Sequence, residues 1–331
     1  MNDVEILRVV NKLTERHTLK SAPEAYVRGF ALAASSVYPP DRVFRILQER
    51  FFIPDDSRFD LDTYLQSAAE LTVQNDIKLK SAVTDFSVDK EVNPPKDVDV
   101  YFKTQNTKVS LEVKCAVESK TGKDAVVIKT AGRIPGHLSQ FEELQKNLRR
   151  ANPSQEVVFG KNKDNTCKDF IVSAHDKFSP DSGVDDCNIL LIACGYHFNI
   201  SEWRMYLLQN EGLFTRTPFY PERNFERVDV VVLSNLKYFH TDARAHHDWT
   251  LRNVFMLPEV NPHARRNNTS SAILKGLSVF NHHLKSFSVY KMKNIGGVEP
   301  SNMLDAIKLG YYVNECLTIA EQNRYFPVKM Q

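Results

Sequence analysis

The stretch Asp97–Cys115 constrains the fold more than any other, because it contains two arms whose side chains alternate in step. Strand side chains change face at every residue, so an antiparallel hairpin must show this pattern on both arms at once. One parity collects Val98, Val100 and Phe102, then Val109, Leu111, Val113 and Cys115. The other collects Asp97, Asp99, Tyr101 and Lys103, then Lys108, Ser110, Glu112 and Lys114. A reversal at Gln105-Asn106 sets Thr104 opposite Thr107, Asp99 opposite Glu112 and Asp97 opposite Lys114. Directly opposed Cβ atoms lie roughly 4.5–5.5 Å apart. A longer turn would slip the register and leave these pairs as diagonal neighbours.

The remaining elements fit around such a hairpin. Asn188–Gly195 is a continuous apolar run that suits a strand buried on both faces, in a sheet covered by helices. Ser81–Asp89, Val228–Leu233 and Val254–Leu257 read as further strands, with short ones at Ala125–Ile128 and Glu156–Gly160. Helical periodicity marks Asp60–Asn75, Leu138–Arg150, Asn165–Phe178, Ser201–Leu208 and Thr269–Leu284. Between Val4 and Phe52 the pattern is helical, with Ser21-Ala-Pro-Glu24 laid out as a capping box and a break at Pro39-Pro40. The expected class is α/β (α+β): a mixed central sheet with flanking helices, a helical N-terminal segment over 1–58 and an α/β domain with a C-terminal extension over 59–331.

The polar parity of the hairpin carries chemistry. Carboxylates converging with a lysine suit a hard divalent cation, and the ammonium group can orient or deprotonate a water beside it. The sequence here resembles the PD-(D/E)xK nuclease superfamily, whose Glu-x-Lys falls on Glu112-Val113-Lys114 and whose aspartate falls on Asp99 or Asp97. The chain departs from the pattern in Pro94-Pro95-Lys96-Asp97, where no proline directly precedes either aspartate. Asp99 is preferred because it is the residue opposed to Glu112. The resemblance covers roughly residues 60–195 and implies a restriction-endonuclease-like core. It further implies a Mg²⁺-dependent DNA endonuclease, with Mn²⁺ as an alternative ion, in which Asp99, Glu112 and Lys114 are catalytic. Asp97 and Glu70 would be additional metal ligands, and Gln140 a polar neighbour of the metal. Restriction, repair or anti-phage defence and a homodimer are implied in the same way. The competing reading of the same letters is an amphipathic hairpin with cross-strand ion pairs, in a nucleic-acid-binding or scaffolding protein without the reaction.

Composition adds little for or against a nucleic-acid partner, since the net charge is only +2. Its distribution says more. Asn261–Val298 contains no Asp or Glu but holds Arg265, Arg266, Lys275, Lys285, Lys291 and Lys293, and Ser119–Lys123 adds Lys120 and Lys123. Such clusters bind phosphate backbones through counterion release, DNA being the expected partner and RNA the alternative. The histidines His240, His246 and His247 read as solvated loop residues. Cys115, Cys167, Cys187, Cys194 and Cys316 are widely spaced, as reduced buried thiols would be. The N-terminal residues lack the pattern of a secretory leader and the longest apolar run is too short for a bilayer, so a cytoplasmic protein without membrane contact is expected.

Overall fold

The computed structural model describes residues 1–116, 126–128, 143, 146–147, 150–151, 157–159, 163–195, 197–208, 211–265 and 270–280. Its core is a six-stranded mixed sheet in the order β1-β2-β3-β6-β7-β8. These strands are β1 (Val83–Asn93), β2 (Lys96–Thr104), β3 (Thr107–Cys115), β6 (Asp186–Ala193), β7 (Val230–Ser234) and β8 (Met256–Val260). β1, β2 and β3 form an antiparallel meander, β3, β6 and β7 run parallel, and β8 returns antiparallel. The helices are α1 (Asp3–Val10), α2 (Glu24–Val37), α3 (Pro40–Phe51), α4 (Leu61–Lys78), α5 (Lys163–Lys177), α6 (His197–Leu208), α7 (Leu236–Thr241) and α8 (Ser270–Leu277). The mixed sheet with flanking helices is the class that the sequence implies.

Two compact units partition the chain, one made of Met1–Ala116 with Ile171–Gln331 and the other of Val117–Phe170. The helical segment 1–58 belongs to the first. The second holds a parallel pair, β4 (Val126–Ile128) with β5 (Val157–Phe159), at the two places where short strands are expected.

The hairpin turns at Gln105-Asn106, both with positive φ (47° and 65°). That backbone suits a two-residue connection because its twist matches the strands. Thr104 therefore faces Thr107, and the register runs outward through Lys103–Lys108 to Val100–Leu111. Val98, Val100, Phe102, Val109, Leu111, Val113 and Cys115 are all buried. β6 is buried along both parities from Cys187 to Ala193, as its unbroken apolar run requires.

Helix α4 is the hub of the first unit, packing on α2, α3, α7 and the strands β1 to β3. Asp60 caps it by accepting from Thr63 N. From Ser67 to Ile77 only Glu70 is less than fully buried, and Gln74, Asn75 and Asp76 have partners. Gln74 donates to Asp99 O and accepts from Tyr38 Oη, Asn75 donates to Trp249 O, and Asp76 accepts from Leu251 N. Each fully buried Leu or Val on this helix contributes roughly 1.5–3 kcal/mol of transfer free energy.

Three local expectations differ. Helix α2 starts at Glu24 with Pro23 as its cap and no side-chain cap bond, because Ser21 turns to Thr18 O instead. Strand β1 runs on to Asn93, with register shifts at Thr84/Ser87 and Glu91/Asn93 and positive φ at Asp85 and Asp89, so simple alternation ends early. His240 and His247 are buried, not solvated: His240 contacts Tyr26 Oη (2.8 Å) and Thr72 Oγ1 (3.1 Å), and the two imidazoles lie 4.6 Å apart beside Trp249. Gly29 lets Trp249 come this close, since a Cβ there would meet the indole at 2.8 Å. The helix expected over Leu138–Arg150, with Gln140, falls largely outside the described residues.

Candidate active site

The ladder between β2 and β3 stops at Val100–Leu111, one pair short of the opposition expected between Asp99 and Glu112. Beyond it the strands separate, while β2 stays paired to β1 and β3 stays paired to β6. The amide and carbonyl groups released on β3 need other partners. Asp99 supplies one, its Oδ2 accepting from Val113 N at 2.7 Å. Gln66 of α4 supplies two more, donating to Val113 O (2.8 Å) and accepting from Cys115 N (2.6 Å). A side-chain amide thus replaces the missing strand, and the gap becomes a polar recess.

Charged groups gather at this recess. Glu112 is completely buried. Its Oε1 lies 2.7 Å from Lys114 Nζ and 2.8 Å from Lys177 Nζ, contacts that are ionic and lack hydrogen-bond alignment. Its Oε2 accepts from Lys177 at 3.0 Å. Lys177 ends α5 and meets Glu112 on the sheet face opposite Leu111 and Val113. Glu70 accepts from Gln66 (2.7 Å) on one oxygen and from Arg50 (3.2 Å) on the other. Arg50 continues to Asp89 (2.9 Å), which also pairs with Arg42 (3.4 Å). Asp97 sits at the rim, half exposed, 3.8 Å from Lys177.

The electrostatics follow from crowding. Burial first, then the charges of Glu70 and Glu112, push the Asp99 carboxyl well above its ordinary range. Burial also raises Glu70, against the pull of Gln66 and Arg50. For Lys177 burial acts downward, but Glu112 and Asp99 outweigh it and hold the ammonium charged. The recess is a place where negative charge is costly and cations are favoured.

The donors are all oxygen. Asp99 spends one oxygen on Val113, and its Oδ1 meets no hydrogen-bond donor among the described residues. Hard cations such as Mg²⁺ take one or two carboxylates and keep several waters, which this recess can provide through Asp99 and Glu112. Among the described residues no three His, Cys, Asp or Glu side chains form a metal-binding group. The protein's share would therefore be two carboxylates, Glu112 giving up a lysine contact to the ion, while Gln66 and Arg50 hold both oxygens of Glu70.

The expected site residues thus separate. Asp99, Glu112 and Lys114 come to one recess, with Glu70 behind them and Asp97 at the edge. Lys177, Gln66 and Arg50 join them without having been singled out. Of the basic residues, Arg265 is exposed but tied to Glu226 and Pro180 O (2.8 Å), and Lys275 lies on α8. Arg266, Lys285, Lys291, Lys293, Lys120 and Lys123 lie outside the described residues. Cys115, Cys167, Cys187 and Cys194 are buried thiols outside any disulfide, and burial pushes Cys115 up to about 12. Cys316 lies outside the described residues. No helix among the described residues is long and apolar enough to cross a membrane. Comparisons with protein-family profiles, curated proteins and solved structures find no match for this chain.

Proposed function

We propose that the chain is a metal-dependent DNA endonuclease whose reaction takes place at the parting of β2 and β3. The observation that carries this reading is the convergence of Asp99, Glu112 and Lys114 at a break in the sheet, where one Asp99 oxygen and the Gln66 amide satisfy the backbone and the second Asp99 oxygen is left over. Bound there, Mg²⁺ or Mn²⁺ would supply Lewis acidity toward a phosphodiester oxygen. Asp99 Oδ1 and the Glu112 carboxylate are the groups that would hold it. Lys114, on the same face as Glu112, would position an attacking water. Gln66 and Arg50 fix Glu70 behind them, which keeps a further negative charge close to the cation. Restriction or anti-phage defence in the cytoplasm, with a homodimer cutting both strands and the basic stretch 261–298 on the DNA, is the biology that this chemistry suits.

A second reading has its own support. Two ammonium groups already neutralise Glu112, an arrangement that also suits a nucleic-acid-binding or scaffolding protein with no reaction. Plasmid and oligonucleotide cleavage with Mg²⁺ separates the two. The nuclease reading expects nicking by wild type, a fall of about a thousandfold for Glu112→Gln or Lys114→Ala, and unchanged DNA binding. Equal nicking by all the proteins, or binding with no cleavage by any, ends it; parallel RNA substrates decide the nucleic acid.

A further inference from the structure

Lys177 has more to do than an ordinary ion-pair partner. One ammonium group, that of Lys114, already stands 2.7 Å from Glu112, two residues along the same strand. Lys177 nonetheless straddles both Glu112 oxygens, at 2.8 and 3.0 Å, from the last residue of α5. It occupies the seat in front of the carboxylate that a cation held by Glu112 and Asp99 would need. Like charges only a few ångströms apart repel strongly when solvent is excluded, so cation and ammonium cannot share that seat. A second perch exists, since Asp97 Oδ1 lies 3.8 Å from the same Nζ and is half exposed at the rim.

Resting on the reading of Glu112 and Asp99 as a cation site, we infer that Lys177 is a resident counter-ion: it fills the cation's place in the empty protein and withdraws toward Asp97 when a divalent ion enters. The device has a physical reason. A completely buried carboxylate left without enough positive charge is strongly destabilising, and Lys177 supplies that charge until the metal does. Ion binding is then an exchange of one positive group for another, and the affinity for metal is set by how readily Lys177 leaves. Lys177 is in this sense a positioning residue, acting through Glu112.

Direct Mn²⁺ binding to the full chain, followed by electron paramagnetic resonance and by calorimetry without DNA, tests this. Lys177→Gln is expected to bind Mn²⁺ about tenfold more tightly than wild type, the effect of one modest charge contact removed from competition. Asp97→Asn, which removes the perch and leaves the Glu112 pair intact, is expected to bind several-fold more weakly, and it serves if Lys177→Gln does not fold. Unchanged or weaker binding by Lys177→Gln, or unchanged binding by Asp97→Asn, overturns it, while the site reading stands as long as Glu112→Gln still loses the ion. Should Glu112→Gln bind as wild type does, or should no variant bind, the site reading falls and this inference with it.

Discussion

Two buried polar centres hang on helix α4, and they solve the same problem in opposite ways. Around Thr72, the groups Tyr26, Tyr64, His240 and His247 are neutral and bonded to one another inside an aromatic cage. Around Glu70, two residues earlier on the same helix, Arg50, Asp99, Glu112 and two lysines meet as ionisable groups, with the Gln66 amide bonded among them. The first centre is satisfied by hydroxyl and imidazole and holds helices together. The second has cations among its partners, and the withdrawal inferred for Lys177 makes it open to exchange. Buried polarity alone is weak evidence of function; buried charge whose partners can be replaced is better evidence.

Several substitutions would break or sharpen that contrast, the largest effect coming first. Lys114→Ala should lose about a thousandfold in cleavage, roughly 4 kcal/mol of barrier, with thermal stability nearly unchanged, as single-turnover assays beside melting curves would show. The neutral centre should instead respond to acid. Burial lowers both histidines, His247 to about 3 from 6.5, so the unfolded chain takes up protons that the folded chain refuses. Stability should therefore fall as pH drops below 6.5, by on the order of 3 kcal/mol at pH 4 from His247, with His240 acting in the same direction. Denaturant melts of His247→Gln against wild type at pH 7 and pH 4 measure this, and parallel curves would refute it.

Asp99 should show the reverse sign. Its folded carboxyl holds a proton to higher pH than the unfolded one, so stability declines as pH rises above 3.8 and the full cost is present above the folded value. Asp99→Asn should accordingly stabilise the ion-free protein at pH 8 while abolishing cleavage, and a lower melting point at pH 8 would contradict this. Smallest of all, Tyr26→Phe should cost about 1 kcal/mol, the worth of its bonds to Tyr64 and His240, with cleavage intact.

How much of this was legible in the letters depends on whether the cause was local. The hairpin register was, because alternation on both arms and a two-residue turn fix it within twenty residues of chain. The α/β class was, because the apolar run of β6 fits only a covered sheet. The early end of the β2–β3 ladder was not, since it depends on Asp99 preferring Val113 N and on a glutamine from another element. Gln66 left a faint trace, four residues before Glu70 on one helix face. Lys177 left none, for its partner lies 65 positions away in sequence. The histidines misled because their neighbours Thr241, Asp242 and Arg244 look like a wet loop, while the cage that buries them comes from α2 and α4.

The kinks of β1 bear on how this molecule keeps company. In the six-stranded sheet β1 and β8 are the outermost strands, the one bent by register shifts at Thr84/Ser87 and Glu91/Asn93, the other interrupted by Pro258. Neither offers a straight row of amides onto which a neighbour could zip. Copies crowded together at synthesis would find no template for sheet-to-sheet growth along these borders.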